Sequence, residues 1–243
     1  MECFRALRWG RCLLLSVTCG AFFCANAAEQ KPKAADFQYP ISDCVGGLEN
    51  IDWHTAYHYH VTDEYKGLPR VFVVGDSIIS QCNKVWHPHF EKKVNVSYWV
   101  TSRIITNRNY WKHLKLHLAE APNVKLVYFH NGLHSQSVPP AEFEKWYRET
   151  LKMIGRTVPG AKIVLVTTTP VSYEGTNRKT AVHNDIVKKI AREKGYEVDD
   201  LRAFVETMPK DDLWIDGVHF KPPAVEAMAK HMSDNIKRLL NAR

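Results

Sequence analysis

The chain carries a serine, an aspartate and a histidine in two short motifs, Gly75-Asp76-Ser77 and Asp216-Gly217-Val218-His219. In this order the three side-chain types can run acyl transfer. A serine hydroxyl attacks poorly until a base takes its proton. An imidazole titrates near neutrality, so His219 can take that proton and later return it to the leaving alkoxide. Asp216, three residues earlier, can accept from the far ring nitrogen and hold the productive tautomer. The oxyanion formed on attack needs preorganised donors. The Ser77 main-chain N–H and the side-chain amide of Asn131, in Val127-Tyr128-Phe129-His130-Asn131-Gly132, are the candidates. Each motif alone is an ordinary turn sequence; the ordered set at strand ends carries the chemistry.

The surrounding pattern supplies elements to hold these groups. Val71-Phe72-Val73-Val74 reads as a buried strand, Gly75 permits a sharp exit, and Ser77 falls where a helix begins. Helix-terminal N–H groups favour the negative charge that develops there. Strands are predicted over 71–75, 93–98, 124–130, 162–168 and 196–199, with helices over 78–91, 108–119, 140–154, 179–194 and 222–241. Such alternation predicts an α/β fold with a parallel five-stranded sheet covered on both faces, its ligands beyond the carboxyl ends of the strands. Pro139-Pro140 and Pro222-Pro223 suit helix starts. Val225, Met228, Met232, Ile236 and Leu239 recur at helical spacing, as a core-facing stripe does.

With 243 residues and 45% hydrophobic content, one substantial core is the simplest expectation. Residues 1–27 read as a signal peptide: Arg5, Arg8 and Arg11 flank an apolar stretch from Cys12 to Cys24, followed by the small-x-small site Ala25-Asn26-Ala27. Residues 28–68 read as an N-terminal extension or irregular arm, and 69–243 as the domain proper. The expected location is secreted or periplasmic, with no stable membrane insertion after cleavage. Losing three Arg and one Glu with the signal takes the formal charge from +7 to +5. That balance, without a basic run or stacked-aromatic module, argues against nucleic acid as a partner and for weak attraction to acidic surfaces or polyanionic glycans. Of six cysteines only Cys44 and Cys82 remain beyond the signal. In an oxidising compartment they either pair, for roughly 4 kcal/mol of chain-entropy stabilisation, or stay as two thiols.

The blocks Val71 to Ser77, His130-Asn131-Gly132-Leu133-His134 and Asp216-Gly217-Val218-His219-Phe220 resemble blocks I, III and V of the SGNH (GDSL-like) hydrolases. The similarity runs from about Pro69 to Leu240 and takes in Thr167-Thr168-Thr169-Pro170 and Asp199-Asp200-Leu201. It implies a flavodoxin-like three-layer α/β/α sandwich with strand order 2-1-3-4-5, and a secreted serine esterase working through an acyl-enzyme without metal or organic cofactor. Ser77 is then the nucleophile, Asn131 an oxyanion donor, His219 the base and Asp216 its orienter. Implied substrates are small acyl esters, O-acetyl groups on glycans among them. The chain departs from the family in having no glycine between Gly75 and Gly132, where the family places a further oxyanion donor. A main-chain N–H in the Trp99 to Ser102 stretch is the expected substitute.

Two other functions are compatible with the composition. His54, His58-Tyr59-His60 and His87-Pro88-His89 are candidates for a metal-dependent hydrolase, since imidazoles two apart on a strand share a face. Trp53, Trp86, Trp99, Trp111 and Trp214 are candidates for sugar stacking in a non-catalytic carbohydrate-binding protein. Arg103, Tyr173 and Arg178 lie on loops that can face a pocket.

Overall fold

The structure, a computed structural model, describes residues 54–59, 67–90, 92–211 and 213–241. The proposed signal peptide, Trp53, His60 and Cys44 lie outside the described residues, as do the side chains of His58 and His87. Cys82 is itself fully buried, and burial pushes its thiol well above the ordinary range.

Five parallel strands form in the expected order. They are β2 (Arg70–Gly75), β3 (Asn95–Thr101), β4 (Val124–His130), β5 (Lys162–Val166) and β6 (Glu197–Asp199), running β3-β2-β4-β5-β6 across the sheet. The expectation of five strands needs one addition. Within the segment expected to be irregular, β1 (His54–Tyr59) pairs antiparallel with β3, His54 opposite Thr101, and makes a sixth strand at the edge.

The central strand shows why the sheet needs cover on both sides. Every residue of β2 is buried, and its alternation sorts Val71 and Val73 to one face, Phe72 and Val74 to the other. The first face is covered by α1 (Ser77–Phe90), α5 (Leu201–Glu206) and α6 (Pro222–Asn241), through Ile78, Cys82, Trp86, Val205, Met228 and Met232. The stripe from Val225 to Leu239 is buried there, as its spacing implies. The second face is covered by α2 (Arg108–Glu120), α3 (Pro140–Thr157) and α4 (Glu174–Lys194), through Trp111, Trp146, Tyr147 and Val187. Among the described residues no helix is long and apolar enough to cross a membrane.

Two cross-links fix the helices that matter for the site. The indole of Trp86 on α1 donates to the Ala229 carbonyl of α6 at 2.6 Å. On the far side of α6, buried Asp199 accepts from His231 at 2.8 Å and Asn235 at 2.9 Å, and from the Tyr128 hydroxyl of β4. Burial pushes the Asp199 carboxyl up, but these three bonds outweigh it and hold the group below its ordinary range.

Candidate active site

Ser77 is the first residue of α1, two residues beyond Gly75, the last residue of the central strand. The strand passes straight into the helix at Gly75. A Cβ at that position would lie 2.3 Å from Ile79 Cγ1, so the close approach admits glycine and little else. Asp76, 4% exposed, caps the new helix: its Oδ1 accepts the Ile78 N–H at 3.0 Å, and its carbonyl accepts Ser80 N–H at 2.9 Å. The half-buried Ser77 hydroxyl is therefore not consumed by capping.

β4 lies beside β2 with Val74 opposite Phe129, so the parallel register delivers Asn131 to the same edge as Ser77. The turn after it is tight. A Cβ on Gly132 would overlap Thr168 Oγ1 at 1.7 Å, where the chain leaving β4 presses on the chain leaving β5. The Asn131 amide is oriented by a relay. The Ile105 N–H donates to Ser135 Oγ at 2.9 Å, and that hydroxyl donates its own proton to Asn131 Oδ1 at 2.8 Å. With the amide oxygen engaged, the NH2 is the group left to face an oxyanion. Ser135 is fully buried in a 3-10 turn, His134–Ser137. Asn131→Ala is accordingly expected to lower turnover about 10²- to 10³-fold with KM little changed, as steady-state kinetics would measure. Ser135→Ala should lower it less and add nothing in the Asn131→Ala background.

The third part is a loop closed by an isolated bridge between Trp214 and Phe220, with Ile215 N–H donating to the His219 carbonyl at 2.7 Å. Inside it Asp216 Oδ1 accepts the N–H groups of Val218 at 3.0 Å and His219 at 2.8 Å. Asp216 Oδ2 lies 2.7 Å from His219 Nδ1. The His219 bond, ring first and main chain second, holds the Asp216 carboxyl down to about 2. An ionised carboxylate there requires the proton on Nδ1 and leaves Nε2 as an acceptor. Gly217 has φ +86°, which favours glycine, and a Cβ on it would lie 2.3 Å from Ser172 Oγ, so that side chain would have to turn away. Ser172 N–H donates to the Gly217 carbonyl and the Tyr173 hydroxyl to the Asp216 carbonyl, each at 2.8 Å, so the β5–α4 connection buttresses the loop.

Of the four residues expected from sequence, Asp216 and His219 are joined directly. Ser77 and Asn131 follow the ends of the adjacent strands β2 and β4 at the same edge. Ser77 makes no hydrogen bond to His219 among the described residues; such contacts commonly tighten only with substrate bound. The two parts meet instead through Gln81, one turn beyond Ser77, whose amide bonds both main-chain groups of Phe220: N–H to Oε1 at 3.1 Å, and Nε2 to carbonyl at 3.0 Å. Sequence reading missed both Gln81 and Ser135. Their only trace is spacing, since each stands four residues after a candidate, Ser77 and Asn131 respectively.

The oxyanion donor expected from Trp99 to Ser102 is narrowed by the sheet. Trp99, Val100 and Thr101 belong to the β3 ladder, flanked by β1 and β2, and Ser102 follows its end. Beneath the nucleophile turn His130 is fully buried, its Nδ1 3.7 Å from Asp76 Oδ2. Burial lowers its pKa, against the opposing pull of the Asp76 charge.

The alternative candidates fare differently. Trp86, Trp99 and Trp111 are fully buried core residues and cannot stack on a sugar; Trp214 is half-buried. The His54 ring lies tilted by 40° against that of His113 with centroids 4.4 Å apart, and His89 pairs with Glu226 at 3.1 Å. Among the described residues no group of three or more His, Cys, Asp or Glu is arranged to hold a metal ion. Arg178 pairs with Glu174 at the exposed start of α4, and an Arg103 guanidinium nitrogen lies 3.4 Å from the His113 ring.

No family model matches the sequence, and no curated protein matches it. Solved structures do match. Est24, a carbohydrate acetylesterase from Sinorhizobium meliloti, aligns with TM-score 0.58 at 15% identity, over 70% of this chain and 99% of its own. The aryl esterase of M. smegmatis gives TM-score 0.58 at 15% identity, over 70% and 99%. Axe2, an acetylxylan esterase from Geobacillus stearothermophilus, gives 0.55 at 15% identity, over 71% and 94%. A member of the lipolytic G-D-S-L family from Veillonella parvula gives 0.57 at 14%, over 70% and 98%. The chain shares the α/β fold of these esterases and of the G-D-S-L family member.

Proposed function

We propose that this chain is an exported serine esterase of the SGNH type that removes small acyl groups, acetyl above all, from hydroxyls of a carbohydrate. The observation that carries the reading is the bond from His219 Nδ1 to an Asp216 carboxylate held near 2, which leaves Nε2 as a base at the edge where Ser77 begins its helix. His219 Nε2 takes the hydroxyl proton as Ser77 Oγ attacks the ester carbon. The oxyanion is met by the Ser77 N–H and the Asn131 amide. Collapse expels the alkoxide, which takes from His219 the proton that came from Ser77 and departs as the alcohol, leaving Ser77 acylated. Water, deprotonated by the same imidazole, then releases the acid. Every group needed is a residue of the chain, so no metal or organic cofactor enters.

Acetyl and carbohydrate specificity are supported by the names of the matching structures, which include a carbohydrate acetylesterase and an acetylxylan esterase. Export is supported by the basic and apolar pattern of residues 1–27. The test is a series of p-nitrophenyl esters of increasing acyl length, followed by acetylated glycans assayed for released acetate. Turnover should be highest for acetate and fall as the chain lengthens. A preference for long acyl chains would overturn the substrate assignment, and no turnover of any ester would overturn the activity.

A further inference from the structure

The Trp214–Phe220 bridge engages the inner main-chain groups of its loop: Ile215 N–H donates to the His219 carbonyl at 2.7 Å, and Lys221 N–H to the Leu213 carbonyl at 3.1 Å. The N–H and carbonyl of Phe220 point the other way. They would be an unpaired stretch of edge, yet Phe220 is fully buried, packed in the same core as Ile78, Cys82 and Trp86. Both groups are met by one side chain, the Gln81 amide, at 3.1 and 3.0 Å. A carboxamide offers a donor and an acceptor side by side for one residue's N–H and C=O.

What this clamp joins makes it more than a satisfied peptide. The Phe220 N–H belongs to the peptide unit whose carbonyl is that of His219. That unit is gripped from the loop side by Ile215 and from the helix side by Gln81, which fixes the Cα of His219 between them. Gln81 in turn stands four residues after Ser77, on the same face of α1. A single side chain thus ties the helix that begins with the nucleophile to the main chain that carries the base, across 139 residues of sequence.

We propose that Gln81 is a positioning residue that sets the distance between Ser77 Oγ and His219 Nε2. The proposal rests on the esterase reading above and deepens it. Gln81→Met keeps the length and removes both bonds. Gln81→Glu keeps the acceptor for the Phe220 N–H but turns a second acceptor toward the carbonyl.

With p-nitrophenyl acetate, both variants should lose about 10- to 100-fold in kcat, the cost of misplacing a catalytic group by about 1 Å, with KM within about twofold. In a His219→Ala background, whose residual turnover comes from the oxyanion donors and binding, neither change should cost anything further. A purely structural role would lower that residual rate by the same factor. Rates are taken per folded protein from thermal melts, and if the Met variant does not fold the Glu variant decides. A kcat within about twofold of the parent, or an equal loss without His219, overturns the proposal. Ser77→Ala run alongside separates the two levels: turnover surviving in that variant removes the esterase reading itself, whereas its loss with active Gln81 variants removes only the clamp.

Discussion

Ser77→Ala is expected to abolish ester turnover, a fall of about 10⁴- to 10⁶-fold in kcat, while the melting temperature stays unchanged. The two halves of this expectation have separate physical grounds. Activity is lost because the side chain that would become acylated is gone, and a methyl group cannot form the acyl-enzyme. Stability is kept because α1 does not depend on the Ser77 hydroxyl. Its first turn is capped by the Asp76 carboxylate on the Ile78 N–H, and Ser77 Oγ makes no hydrogen bond among the described residues. Alanine is also the best helix former, so the substitution is benign at the first helical position. The measurement is p-nitrophenyl acetate turnover beside a circular-dichroism melt. Near-parental activity in the folded variant would remove Ser77 from the mechanism.

Asp216→Asn is expected to cost on the order of 10⁴-fold in kcat with the loop still folded, because the wrong tautomer of the base is stabilised. The two carboxylate oxygens do different jobs. Oδ1 accepts the Val218 and His219 N–H groups, and an asparagine oxygen can do the same. Oδ2 accepts from His219 Nδ1, and an asparagine NH2 in its place confronts that N–H donor with another. The imidazole is then driven to carry its proton on Nε2, where it cannot accept one from Ser77. In the parent the Asp216 carboxyl, held at about 2 by His219, is ionised across the whole range in which imidazoles titrate. The pH–activity profile should therefore carry no step from this carboxylate where free carboxylates titrate, and a step at about pH 4 would contradict the assignment.

The local features that could be read from sequence are those in which a few neighbouring residues decide the outcome. The run from Val71 to Val74 must be buried on both faces wherever it goes, and Gly75 follows with no room for a Cβ. The α6 stripe behaves in the same way. Elements decided by partners distant in sequence were harder to see. α4 begins at Glu174, five residues before the predicted start, although Gly175 and Asn177 weaken the helical pattern there. Asn177 Oδ1 accepts from Arg202 at 2.9 Å and from the Val171 N–H at 3.3 Å, contacts no local pattern encodes. α5 is six residues long, too short for periodicity, and is recognisable mainly by its Asp200 cap on the Ala203 N–H.

The candidate site divides along the same line. Asp216 and His219 lie within one loop, so their pairing follows from spacing alone. Asn131 could be placed because a parallel sheet brings strand ends to one edge. Its orientation by Ser135, and that residue's own anchor on Ile105, depend on the β3–α2 connection folding over the turn after β4. Gln81 is the extreme case, a polar residue on an apolar helix face whose partner lies 139 residues away.

The strand His54–Tyr59 also has a consequence outside catalysis. By pairing along β3 from His54 opposite Thr101 to Tyr59 opposite Val96, it occupies hydrogen-bonding groups that would otherwise line an open margin of the sheet. β3 is buried along its length and rich in valine and aromatics, the composition of a segment that recruits strands from other molecules. A chain shortened to begin at Leu68 would keep Ser77, Asn131, Asp216 and His219 but bare that margin, leaving it open to edge-to-edge self-association. The N-terminal strand thus guards solubility, and its removal would be felt first in aggregation, ahead of any effect on the chemistry.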